Sequence, residues 1–169
     1  RLDFAVNNAG ILPASWAGLA DLDRSEIDRV LQVKLGGVVN GMRSQIRAVL
    51  GLGEPAAIVN VASSAAMIGI PHISPYIASK HAVLGLTRAA ALEYGDHGIR
   101  LNCVLPHNVR SAMLDSTPED VRAEIVKPQA LKRIGEPHEV GSAVAWLCSD
   151  GASFVTGIAL PVDGGFLAG

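Results

Sequence analysis

Residues 56–62, Ala-Ala-Ile-Val-Asn-Val-Ala, are apolar at every position except Asn60. A strand with one wet face alternates apolar and polar side chains, whereas a strand lacking alternation belongs in a parallel sheet covered on both sides. The flanking sequence supplies the covers. Asp23 reads as a helix N-cap with Glu26 closing a capping box, and the helix it opens runs to about Leu50. Ile27, Val30, Leu31, Leu35, Val38, Val39, Met42 and Ile46 form its apolar stripe, and Gly51-Leu52-Gly53 stops it. A second long helix spans about Ser74 to Tyr94 and ends near Gly95 and Gly98. Phe4–Asn7, Ile99–Leu105 and Ile158–Val162 read as further strands, the middle one closed by Pro106. Thr117-Pro118-Glu119-Asp120 has the form of a helix start, and another helix is expected over about Pro137 to Ser149. Strands alternating with helices give βαβ units, hence a doubly wound parallel sheet in three α/β/α layers. No repeat or linker divides residues 1–169, so a single domain is expected.

Composition removes several classes of function. Fourteen Lys and Arg against sixteen Asp and Glu leave a net charge of −2, which gives no electrostatic footprint for nucleic acid or an anionic membrane. No apolar run reaches eighteen residues and no signal-peptide layout is present, so a cytoplasmic protein is expected. Cys103 and Cys148 lie far apart in apolar stretches and read as buried reduced thiols. No pair of histidines has metal-ligand context, and no metal is expected. His72 and His107 read as bordering a site, His81, His97 and His138 as surface or turn residues, and Trp16 and Trp146 as packing residues.

The chemistry concentrates at Tyr76-Ile-Ala-Ser-Lys80, with Ser63 thirteen residues upstream. Positions i and i+4 share a helix face. A cation beside a phenol favours the phenolate and lowers its pKa from about 10 by roughly 1–3 units. Such a phenol shuttles a proton to and from a substrate oxygen, which Ser63 would hold by a hydrogen bond. The expectation is an acid–base site for a C–OH or C=O group.

In order and in register, Asn7-Asn8-Ala9-Gly10, Ile58–Ser63, Tyr76-x-x-x-Lys80, Gly98–Pro106, Arg133–Pro137, Ser149-Asp150 and Val162–Gly165 resemble motifs of the short-chain dehydrogenase/reductase family. The resemblance implies a Rossmann-like fold using NAD or NADP, in which an alcohol and a ketone are interconverted. Tyr76 would be the general acid/base, Lys80 would lower its pKa and hold the nicotinamide ribose, and Ser63 would orient the substrate oxygen. Asn8, Ala9, Gly10, Pro106, Val109 and Ser111 would line the cofactor, and Ser63, Ser64, His107 and Met113 the substrate. Residues 107–135 would form a substrate lid with Met113, Leu114, Val121, Ile125 and Val126 as apolar lining. The family pairs its long helices between subunits, which implies a homodimer or homotetramer.

Three features depart from the family pattern. The chain opens at Arg1-Leu2-Asp3 without methionine and lacks the family's opening βαβαβ, with its glycine-rich pyrophosphate loop, so an N-terminally truncated fold is expected. Lys34 stands where an asparagine usually completes a proton relay behind the catalytic lysine, and His107 follows Pro106 where glycine is usual. Two further readings therefore stay open. One is a cofactor-independent isomerase, dehydratase or cyclase on the same Tyr–Lys–Ser site; the other is a non-catalytic partner of a full-length homologue.

Overall fold

A computed structural model describes residues 1–11, 14–111, 114 and 119–169, without the Val121 side chain. Its centre is a four-stranded, all-parallel sheet in the order β1-β2-β3-β4, formed by β1 (Phe4–Asn7), β2 (Ala56–Val61), β3 (Ile99–Pro106) and β4 (Ala159–Val162). The run that lacks alternation is buried along almost its whole length, as its composition requires.

One sheet face is covered by α2 (Gly37–Leu52) and α3 (Ser74–Tyr94), whose apolar residues meet Ile58, Leu101 and Cys103, and α1 (Arg24–Leu31) packs against α3. The other is covered by α5 (Pro137–Cys148), where Leu147 packs on Val59 and Val104. A short helix α4 (Glu119–Ile125) precedes it. The expected Thr117-Pro118 helix start lies outside the described residues. Phe4 and Val6, on the second face of β1, are 60% and 44% exposed, while Asn7 turns to α2.

The helix read as continuous from residue 23 to 50 is instead interrupted by one π-helical stretch, Gln32–Gly36. The cause is legible in the stripe. Val30, Lys34, Val38, Met42 and Ile46 are all buried at successive spacings of four. Four exceeds the 3.6 residues of an α turn, so a regular helix would rotate the stripe off the sheet; the wider π turn absorbs the excess. The capping box expected at Asp23 is absent: Asp23 caps no backbone group through its side chain, because the Glu26 carboxylate is taken by Arg29 and the Ala14 N–H.

Asn60, the one polar residue of β2, is fully buried and fully used. Its amide donates to Thr87 Oγ1 at 2.9 Å and Met42 Sδ at 3.2 Å, and its carbonyl accepts from Asn7 Nδ2 at 2.8 Å. Asn7 exchanges two further bonds with Gln45. These bonds tie β1, β2, α2 and α3 together beneath the carboxyl ends of the strands. Trp16 and Trp146 are surface residues, 64% and 43% exposed, not the packing residues that their size suggested.

Candidate active site

Ligands of open parallel sheets bind outside the carboxyl ends of the strands. At that edge Asn8 and Gly10 follow β1, Ser63 follows β2, and Pro106 and His107 end β3. With Tyr76 and Lys80 from α3 and Lys34 from the π turn, they line one open cleft of about 490 Å³. Val109 and Ser111 complete the rim, whereas Ala9 does not line it. A wider groove of about 710 Å³ lies at the opposite end of the strands, between Phe4 and Phe154, and contains none of these groups.

Ser63 sits at the start of a 3-10 turn, Ser64–Ala66, and its hydroxyl accepts the Ala65 N–H at 3.2 Å. The same hydroxyl faces the Tyr76 phenol and lowers its pKa. Lys80 is 6% exposed and donates to the Val61 carbonyl at 3.0 Å. Its Nζ lies 5.7 Å from the centroid of the Tyr76 ring, and Lys34 Nζ lies 4.8 Å from it. Two cations thus lie within cation–π range of one phenol.

The electrostatics differ from the sequence expectation. Burial raises the Tyr76 phenol above its ordinary pKa, and only the Ser63 hydroxyl pulls it down. Lys80 itself is driven down to about 7, by burial first and the Lys34 charge second, against a smaller opposing pull from Cys103. Burial lowers Lys34 as well and raises the Cys103 thiol to about 11. At neutral pH the phenol is therefore protonated, beside an amine poised to gain or lose a proton.

His107 is fixed from two sides. Its Nδ1 lies 2.7 Å from Ser64 Oγ, and its ring stacks on Phe166 with centroids 3.8 Å apart and planes 9° from parallel. Burial lowers its pKa and the Asp163 charge pulls it back. Ser64 is 1% exposed and does not line the cleft; it reaches the cleft only through His107. His72, with φ 68°, is also outside the lining. Neither Leu114, Ile125 nor Val126 lines the cleft, and Met113 and the Val121 side chain lie outside the described residues. Behind the rim, buried Gln129 accepts from Asn108 Nδ2 and donates to the Leu131 and Arg133 carbonyls. Sequence reasoning passed over Gln129 because a lone glutamine carries no pattern.

A family model described as adh_short_C2, Enoyl-(Acyl carrier protein) reductase, matches residues 1–167. The chain belongs to the short-chain dehydrogenase/reductase family. This oxidoreductase chain is 41% identical over 170 residues to a 2,5-dichloro-2,5-cyclohexadiene-1,4-diol dehydrogenase of Sphingobium indicum, covering 99% of itself and 68% of that relative. It is 46% identical over 165 residues to a cyclohexanol dehydrogenase of an Acinetobacter species, covering 98% and 64%. A (+)-cis,cis-nepetalactol synthase of Nepeta racemosa is 38% identical over 171 residues, with 98% and 63% covered. The crystal structure of levodione reductase superposes with a TM-score of 0.93 at 34% identity, covering 99% of this chain and 67% of that one. A 4-hydroxyisoleucine dehydrogenase mutant complexed with NADH and succinate gives 0.93 at 30%, covering 99% and 69%. ElxO with NADP bound gives 0.93 at 29%, covering 100% and 68%. The short-chain dehydrogenase/reductase chain thus spans about two thirds of the length of these relatives. Among its described residues no helix is long and apolar enough to cross a membrane, and no group of three His, Cys, Asp or Glu is placed to hold a metal ion.

Proposed function

We propose that the protein is an NAD(P)-dependent oxidoreductase interconverting a secondary alcohol and a ketone, with Ser63, Tyr76 and Lys80 as its catalytic residues. The observation that carries this reading is the convergence of these three side chains on one open cleft. In the reducing direction the protonated phenol donates to the carbonyl oxygen as negative charge develops there, while the Ser63 hydroxyl holds that oxygen. Lys80, titrating near neutrality, returns the proton to Tyr76. His107, held by Ser64 and Phe166, supplies a further polar contact to substrate.

The residues fit the nicotinamide side of a dinucleotide: Asn8, Gly10, Lys80, Pro106, Val109 and Ser111 surround the same opening, and among the described residues no acidic side chain lines it to repel phosphate. The bound nicotinamide supplies or accepts the hydride. Cyclic alcohols and diols are the substrate class, on the strength of the relatives' names. A homodimer or homotetramer working in the cytoplasm is part of this reading, in keeping with two free thiols.

Titration of NADH and NADPH, followed by nicotinamide fluorescence, tests the proposal. Saturable binding that weakens in Lys80→Ala is expected; no binding at millimolar concentration removes the proposal. The synthase among the relatives favours a second reading, in which the phenol transfers protons without net redox change. Turnover that persists with nicotinamide removed selects that reading.

A further inference from the structure

Lys34 is 9% exposed, yet no hydrogen bond or ion pair reaches its ammonium among the described residues. Its only described partner is the Tyr76 ring, and the little of it that meets solvent opens into the cleft. An ammonium largely withdrawn from water without a counter-charge is unfavourable, and here only the water of the cleft and the Tyr76 ring face it among the described residues. Among the described residues no Asp or Glu lines the cleft, and the other lining cations are Lys80, which donates to the Val61 carbonyl, and Arg110, paired with Glu136 at 3.1 Å.

Two independent features hold Lys34 in this position. The π turn places it in the buried stripe between Val30 and Val38, where an apolar residue belongs. Gly10 leaves the space its side chain fills, since a Cβ on Gly10 would lie within 2.3 Å of Lys34 Nζ. The backbone is thus shaped around a cation facing the reacting oxygen's surroundings.

We propose that Lys34 is an oxyanion-binding residue of the cleft, accepting a carboxylate carried by the substrate or the diphosphate of the nucleotide. The inference deepens the proposed function by naming the charge of what enters, and it rests on that reading only for the location of the reacting group.

Lysine-labelled protein separates the possibilities by NMR, with the Lys34 side-chain signal assigned from Lys34→Gln. Cyclohexanecarboxylate probes the substrate source, ADP-ribose the nucleotide source, and cyclohexanol serves as the uncharged control. The expected result is that one of the anions binds saturably, shifts the Lys34 signal, and loses at least about tenfold in affinity in Lys34→Gln but not in Lys34→Arg. Cyclohexanol binding stays unchanged in both variants. Circular dichroism confirms that both variants fold. The proposal is overturned if neither anion binds at millimolar concentration, or if both bind Lys34→Gln as well as the parent. Lys34-dependent anion binding without any NADH or NADPH binding would instead sustain this inference while removing the redox reading.

Discussion

Around Tyr76 the decisive quantity is the free energy of burying amines. A lysine whose folded pKa lies below its free value binds fewer protons folded than unfolded between the two values, so stability rises with pH across that interval. For Lys80 the interval runs from about 7 to 10.5, and Lys34 acts in the same direction. Tyr76 and Cys103, both raised, act oppositely, but only above their ordinary values of 10.0 and 9.0. Between pH 7 and 9 the lysines dominate. Denaturant unfolding is expected to show a gain of about 2 kcal/mol over that interval, and Lys80→Met should flatten the slope. A slope unchanged by the substitution would place the buried charge elsewhere. The spacing of Tyr76, Lys80 and Ser63 made their convergence legible in the sequence. The sign of the phenol's shift was not, because desolvation depends on how many neighbours the fold places around Lys80, and motif spacing carries no such information.

At the scale of elements, the strands and the long helices followed from apolar patterning, and α3 runs over Ser74–Tyr94 as expected. Interruptions and caps were harder to read. Glu26 had the right spacing for a cap box, but Arg29 and the Ala14 N–H compete for the same carboxylate. At α5 the Glu139 carboxylate does accept the Glu136 N–H, at 2.7 Å, while also pairing with Arg133. Asn60 shows how one polar residue in an apolar run orders several elements. Thr87→Val removes the acceptor of its amide and leaves a buried donor unsatisfied, which costs about 1–3 kcal/mol. Thermal unfolding of the variant checks this value, and a change below about 0.5 kcal/mol would mean that Met42 or water replaces the threonine.

For the molecule as a whole, both end strands of the sheet have an open edge: among the described residues β1 pairs only with β2 and β4 only with β3, and β1 also carries exposed Phe4 and Val6. An unpaired apolar edge is a template for another strand. The 169-residue chain is expected to self-associate with rising concentration, and Val6→Lys should shift sedimentation toward monomer without changing the circular dichroism. A monomer that behaves identically with and without the substitution would show that the edge is covered. The missing opening βαβαβ already implied a bare side on this strand, and the strand order agrees, with β1 paired to β2 alone among the described residues.

The central claim is that the Tyr76 phenol moves the proton in an alcohol–ketone interconversion. Hydride transfer between cyclohexanol and nicotinamide, followed by the absorbance of the reduced cofactor, tests it most directly in the protein and in Tyr76→Phe. Loss of one positioned acid–base group predicts a fall in kcat of about 10²–10⁴-fold, with nicotinamide affinity held within a few-fold. A phenylalanine variant that turns over as fast as the parent would contradict it.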